Sequence, residues 1–161
     1  MHTRKALFAA GCFWGVQYYF DEVPGVVKTT VGYSGGTVPN PSYDAVASRL
    51  TGHAESILIE FDPKKVSYAT LLKHFFRMHN PTYLSNDGIN YGPEYRSAIF
   101  YFDETQRSLA EKVRDEVQKN YKDPIVTEIS PARPFYEAEP MHQKFTARTG
   151  IGMCHVPYAP V

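Results

Sequence analysis

The stretch Gly11-Cys12-Phe13-Trp14-Gly15 holds the side chain best suited to covalent chemistry. An apolar run, Ala6 to Ala10, precedes it, and Phe13, Val16, Phe20 and Val23 recur behind it near helical spacing. The pattern predicts a strand that turns into the first turn of a helix at Cys12. The open backbone N–H groups and the positive dipole end of such a turn favour an anion. A thiolate is such an anion, and this placement lowers a cysteine pKa below its ordinary value of about 8.5. Cys12 reads either as a nucleophile or as a small buried hydrophobe. The flanking glycines, which permit close backbone approach to a ligand, weigh toward the first. Phe13 and Trp14, the chain's only tryptophan, are either core packing or an aromatic wall suited to an apolar or thioether group.

Other groups could serve such a nucleophile. Glu55 stands in the otherwise apolar run Ala54 to Phe61 and is either solvent-facing at a sheet end or a half-buried general acid. His53 shares its face, but no HExxH or CxxC pattern accompanies the pair, so no metal is expected. Tyr33 and Tyr95 stand where a strand meets a glycine-rich loop and where a long loop meets a strand. Each is either a packed ring or a phenol at the mouth of a site. The two cysteines, Cys12 and Cys154, lie far apart in sequence. Only two cysteines in a chain of this size argue against a structural disulfide framework, and they leave room for a transient, catalytic disulfide.

The elements that must position these residues follow from periodicity and punctuation. Val26 to Tyr33 is rich in β-branched residues and predicts a strand. A short helical piece is expected over 43–50, a strand over 53–61 and a helix over 68–79 capped by Ser67. A polar loop spans 80–94, followed by a strand over 97–102, a helix over 104–120 capped by Asp103, a strand over 125–129 and a short helix over 138–147. This order gives an α+β class with helices packed on a sheet, in one domain over 1–161. The Gly- and Pro-punctuated segment 148–161 is expected to be a flexible tail.

Composition narrows the partners. Of 161 residues, Lys+Arg and Asp+Glu number 17 each, a balance that argues against nucleic acid or an anionic membrane as the main partner. No apolar run is long enough to span a bilayer. The chain enters its first strand almost at once, which leaves no room for a signal peptide and gives a cytoplasmic expectation.

Taken together the segments resemble peptide methionine sulfoxide reductase of the A type. The resemblance rests on Gly11-Cys12-Phe13-Trp14-Gly15, Gly32-Tyr33-Ser34-Gly35-Gly36, Gly52-His53-Ala54-Glu55, Tyr95-Arg96-Ser97 and Phe135-Tyr136-x-Ala138-Glu139-x-x-His142-Gln143. Pro39-Asn40-Pro41-Ser42-Tyr43 and His79-x-Pro81-Thr82 fit as well. It implies a ferredoxin-like two-layer α/β sandwich with long loops and an irregular C-terminal tail. It implies that Cys12 attacks the sulfur of methionine-S-sulfoxide, free or in oxidised proteins, while Glu55 protonates the oxygen. Tyr33 and Tyr95 hold that oxygen, and Phe13 and Trp14 receive the methyl group. The resemblance further implies that Cys154 resolves the resulting sulfenic acid to a disulfide that thioredoxin, or dithiothreitol, reduces. It also implies no metal or organic cofactor and a monomeric repair enzyme. The chain departs from the family pattern at Asn90, where an Asp that contacts substrate usually stands, at Asn80, usually Asp, and at Glu94, usually Gln. A thiol peroxidase or redox sensor would need Cys12 but not Glu55, and a module that only binds methionine peptides would need neither.

Overall fold

The structure, a computed structural model, describes residues 2–84, 92–152 and 155–161. Asn90 and Cys154 lie outside the described residues. Among these residues six strands form one sheet: β1 (Arg4–Ala10), β2 (Val26–Ser34), β3 (Ala54–Phe61), β4 (Ser97–Tyr101), β5 (Glu128–Pro131) and β6 (Tyr136–Glu137). Their spatial order is β5-β4-β1-β3-β2-β6. The central four run antiparallel as β4-β1-β3-β2, the ferredoxin-like arrangement, and β5 pairs parallel to β4. The helices are α1 (Phe13–Asp21), α2 (Tyr43–Ala47), α3 (Tyr68–Met78), α4 (Glu104–Gln118) and α5 (Phe145–Thr149). None of them is long and apolar enough to cross a membrane.

Strand parity sorts the core. Ala6, Phe8 and Ala10 of β1 share one face with Ile57, Ile59 and Phe61 of β3 and Val31 of β2, and the helices cover that face with Phe20, Leu71, Leu72 and Phe75. Leu7, Ala9, Ala54, Ala98 and Phe100 form a smaller cluster on the opposite face. Each fully buried Phe or Leu contributes about 1.5–3 kcal/mol relative to exposure. This packing fixes the ends of β1, β2 and β3, where the reactive residues stand.

Local chemistry sets the helix starts. Ser67 Oγ accepts the Thr70 N–H at 3.1 Å and Asp103 Oδ1 accepts the Gln106 N–H at 2.8 Å, the two caps that the sequence predicts. Ser42 Oγ likewise accepts the Ala45 N–H at 3.1 Å and starts α2. Three elements differ from expectation. The strand expected over 125–129 pairs only from Glu128, because the Ile125 N–H donates to Gln118 Oε1 and the Val126 N–H to the Pro81 carbonyl. The helix expected over 43–50 stops at Ala47, since Arg49 adopts φ +69°. The helix expected over 138–147 divides into a 3-10 turn at Pro140–His142 and α5, with Lys144 in the left-handed region between them. After α5, described residues of the tail are tied down: Arg77 Nη1 donates to the Pro157 carbonyl at 2.7 Å, and Tyr158 stacks on His74.

Candidate active site

Gly11, at φ +92°, turns the chain out of β1 in a conformation that side chains rarely adopt. Cys12 follows as the N-cap of α1 and is half-buried. Its side chain makes no capping bond to α1, and no acidic residue stands in the helix's first turn. The open donor at the helix start is met from outside: the Phe13 N–H donates to Glu55 Oε1 at 3.1 Å. A carboxyl from β3 thus sits at the helix end that Cys12 caps. Glu55 is 2% exposed, so the buried alternative holds, and the solvent-facing one does not.

Register explains the next neighbour. Tyr33 of β2 is the cross-strand partner of Glu55, so both point to the helix-covered face. Tyr33 is fully buried and its ring lies 5.7 Å from that of Phe13. Its hydroxyl donates to Glu139 Oε1 at 2.8 Å. The other oxygen of Glu139 accepts the Tyr43 N–H at 3.1 Å. Burial pushes the Glu139 carboxyl up, but the bonds from the backbone N–H groups of Tyr43 and Glu139 and from the Tyr33 hydroxyl outweigh it and hold the group below the usual carboxylate range. Burial, with that carboxylate beside it, keeps the Tyr33 phenol protonated far above neutrality.

The phenol that joins Tyr95 is Tyr43, the first residue of α2. The two hydroxyls are hydrogen-bonded to one another, and both rings are half-buried. Burial raises the pKa of each, and the neighbouring charges of Glu55 and Cys12 raise it further. Both are therefore neutral donors at physiological pH. These shared electrostatic effects put Cys12, Glu55, Tyr43 and Tyr95 in one neighbourhood.

An aromatic wall closes one side. Trp14 stacks on Phe145 at 4.0 Å between centroids, and its Nε1–H donates to His142 Nδ1 at 3.1 Å. His142 stacks in turn on Tyr43 at 4.5 Å and lies 5.5 Å from Phe13. Burial lowers the His142 pKa, which suits a neutral ring that accepts the indole proton. Phe13 is buried while Trp14 is half-buried, so Trp14 is the more accessible surface. His53 belongs elsewhere: Nδ1 accepts the Gly36 N–H at 3.0 Å and Nε2–H donates to the Val38 carbonyl at 2.6 Å, which pins the loop after β2. Among the described residues no group of three or more His, Cys, Asp or Glu side chains is arranged to hold a metal ion.

The structure thus brings Cys12, Glu55, Tyr95, Phe13 and Trp14 together, and it turns the Tyr33 hydroxyl to Glu139. Sequence reasoning missed Tyr43, Glu139 and His142 as parts of this neighbourhood. The signal was present in the Pro39-to-Tyr43 segment, where Ser42 announces a helix start, and in the Glu139-x-x-His142 spacing.

Residues 4–161 match the family model described as peptide methionine sulfoxide reductase. The peptide methionine sulfoxide reductase MsrA of Azotobacter vinelandii is 48% identical over 155 residues, covering 94% of this chain and 72% of that protein. Mxr1 from Saccharomyces cerevisiae in reduced form aligns with a TM-score of 0.84 at 30% identity, covering 98% of this chain and 89% of that one. The structure of Mxr1 in complex with Trx2 aligns with a TM-score of 0.63 at 24% identity, covering 89% and 84%.

Proposed function

The chain belongs to the peptide methionine sulfoxide reductase family, and on that premise we propose that Cys12, Glu55, Tyr43 and Tyr95 carry its reaction, the thiol-dependent reduction of methionine-S-sulfoxide to methionine. The observation that carries this assignment is the bond from the Phe13 N–H to Glu55 Oε1, which sets a buried carboxyl beside the helix start capped by Cys12. The helix end favours the Cys12 thiolate. Burial disfavours a second negative charge on Glu55, so that carboxyl is suited to carry a proton. Tyr43 and Tyr95 direct neutral O–H groups at the sulfoxide oxygen and stabilise the charge that builds there. The oxygen-holding role expected of Tyr33 passes to Tyr43. Phe13 and Trp14 receive the methyl group on their rings.

The thiolate attacks the sulfoxide sulfur while Glu55 protonates the oxygen. The oxygen is transferred to Cys12, whose sulfur is oxidised to a sulfenic acid, and the substrate sulfur is reduced to the thioether. The thiol of Cys154 then condenses with the sulfenic acid, releasing water and forming a disulfide. A dithiol reductant of the thioredoxin class restores both thiols by exchange, as the complex of Mxr1 with Trx2 supports. The two thiols supply both electrons, so the cycle needs no metal or organic cofactor. Asn90 meets the substrate backbone as a neutral group in place of a carboxylate. A cycle driven by thioredoxin fits the cytoplasm, where oxidised proteins and free methionine sulfoxide are both available as substrates.

The test uses resolved S and R epimers of a methionine sulfoxide peptide with thioredoxin. Methionine is expected from the S epimer only, and Glu55→Gln should lower the first-turnover rate by about 10²-fold or more, as loss of a general acid does. A wild-type rate in Glu55→Gln near neutral pH would remove Glu55 from the mechanism.

A further inference from the structure

The two phenols come from elements more than forty positions apart in sequence, each of them short. Tyr43 opens α2, a helix of five residues, too short to hold itself in water. Tyr95 ends the 3-10 turn Pro93–Tyr95. Two carboxylates tie α2 in place. Glu139 takes the N–H of Tyr43 at its front. At its back Arg49 Nε donates to Glu94 Oε1 at 3.2 Å, and Glu94 is the residue before Tyr95.

Three features set this ion pair apart from an ordinary surface pair. Glu94 is 2% exposed, whereas the Arg49 side chain is 45% exposed, so a buried carboxylate depends on a half-exposed cation. Glu94 Oε2 has no hydrogen-bond partner among the described residues. Arg49 reaches it from a left-handed backbone conformation, φ +69°, that non-glycine residues seldom adopt. The carboxylate also folds back over Gly92, where any side chain would collide with both Glu94 and Arg49. A buried pair of this kind is a poor source of stability compared with apolar packing, and its defensible use is to fix one arrangement.

We propose that Arg49–Glu94 is a positioning clamp that holds the Tyr43 and Tyr95 elements in register, so that both hydroxyls meet the sulfoxide oxygen together. Neither residue touches the reacting atoms. The clamp rests on the assignment of Tyr43 and Tyr95 as the oxygen donors. Removing Arg49 leaves the Glu94 carboxylate buried without its cation, and its movement carries Tyr95 along.

The experiment is a double-mutant cycle in the full chain, read as the saturating first-turnover rate without reductant. Arg49→Ala should lower that rate about tenfold through misplacement of Tyr95, a loss within the range for a displaced catalytic group. Arg49→Lys should restore part of it. In a Tyr95→Phe background Arg49→Ala should cost less than about twofold more, because the hydroxyl it misplaces is already gone and Glu139 still holds the Tyr43 N–H. Equal losses in both backgrounds, or no loss in Arg49→Ala, overturn the clamp. A wild-type rate in Tyr95→Phe alone overturns the oxygen-donor assignment and the clamp with it. If Arg49→Ala does not fold, Glu94→Gln in the same cycle should show the same coupling to Tyr95, and its absence overturns the clamp.

Discussion

Tyr33 and Tyr43 separate the two things a buried tyrosine can do, and replacing each with Phe should show it. The Tyr33 hydroxyl donates to Glu139 at 2.8 Å inside a fully buried neighbourhood. A hydrogen bond to a charged group contributes about 1.5–3 kcal/mol. In a chain of 161 residues each kcal/mol moves the melting temperature by about 2–4 °C, so Tyr33→Phe should melt on the order of 3–12 °C lower. Its chemistry should survive, because Glu139 still holds the Tyr43 N–H and Ser42 still caps α2. Tyr43→Phe should do the reverse. It loses little stability, while first turnover falls about tenfold, since Tyr95 remains to hold the oxygen. Tyr43→Phe with Tyr95→Phe removes both donors and should cost about 10²–10³, the scale of a lost oxyanion-hole donor. Calorimetry gives the melting temperatures, and acid-quenched single turnovers with methionine quantified give the rates. A Tyr33→Phe protein as slow as Tyr43→Phe, with an unshifted melting temperature, would refute the assignment.

The remaining predictions concern the thiols and acid stability. Cys12→Ser should yield no methionine even in a stoichiometric first turnover. Cys154→Ser should release one equivalent and then fail to cycle with thioredoxin, and normal cycling would remove Cys154 as the resolving thiol. His79 is buried, with Nδ1–H donating to the Phe75 carbonyl and Nε2 accepting from Ser97, and burial lowers its pKa to about 3. The unfolded chain binds the extra proton from an ordinary pKa of about 6.5, so stability is present above that pH and is lost as pH falls toward 3. Urea unfolding at pH 7 and pH 5 should differ by about 2 kcal/mol through this group, and His79→Gln should flatten that slope. An unchanged slope in His79→Gln would remove His79 as its source.

The sheet was largely legible in the sequence because its signals are local. Ile57, Ile59 and Phe61 alternate, β-branched residues crowd 26–31, and Ser67 and Asp103 mark helix starts. Cys12 and Glu55 were legible as reactive types in unusual settings, a thiol between glycines and a carboxyl in an apolar strand. The direction of the Tyr33 hydroxyl was not, because it depends on Glu139, over a hundred positions away, and no local pattern encodes that partner. The same holds for β6, two residues whose pairing with β2 is fixed by tertiary packing. Lys144 gave no warning of its left-handed turn, which breaks a helix that composition alone would continue.

On the proposed mechanism the charge around Cys12 makes one carboxyl an acid and leaves another an anion. The helix start offers one favourable place for negative charge, and Glu55 Oε1 already occupies its first N–H. On the proposed mechanism a thiolate on Cys12 and a carboxylate on Glu55 would crowd two like charges into that place. The proposed mechanism therefore needs one proton shared between the pair. Only the form with the proton on Glu55 has both nucleophile and acid ready. Glu139 does not disturb this balance, because the Tyr33 hydroxyl and two backbone N–H groups hold its charge in place. Tyr43 and Tyr95 stay neutral, held so first by burial, and on the proposed mechanism they add hydrogen bonds to the oxygen without adding charge. Substituting Glu139 with Gln should then weaken the hold on α2 without changing the identity of the acid, whereas any new carboxylate facing Cys12 should slow attack by competing for the same helix end.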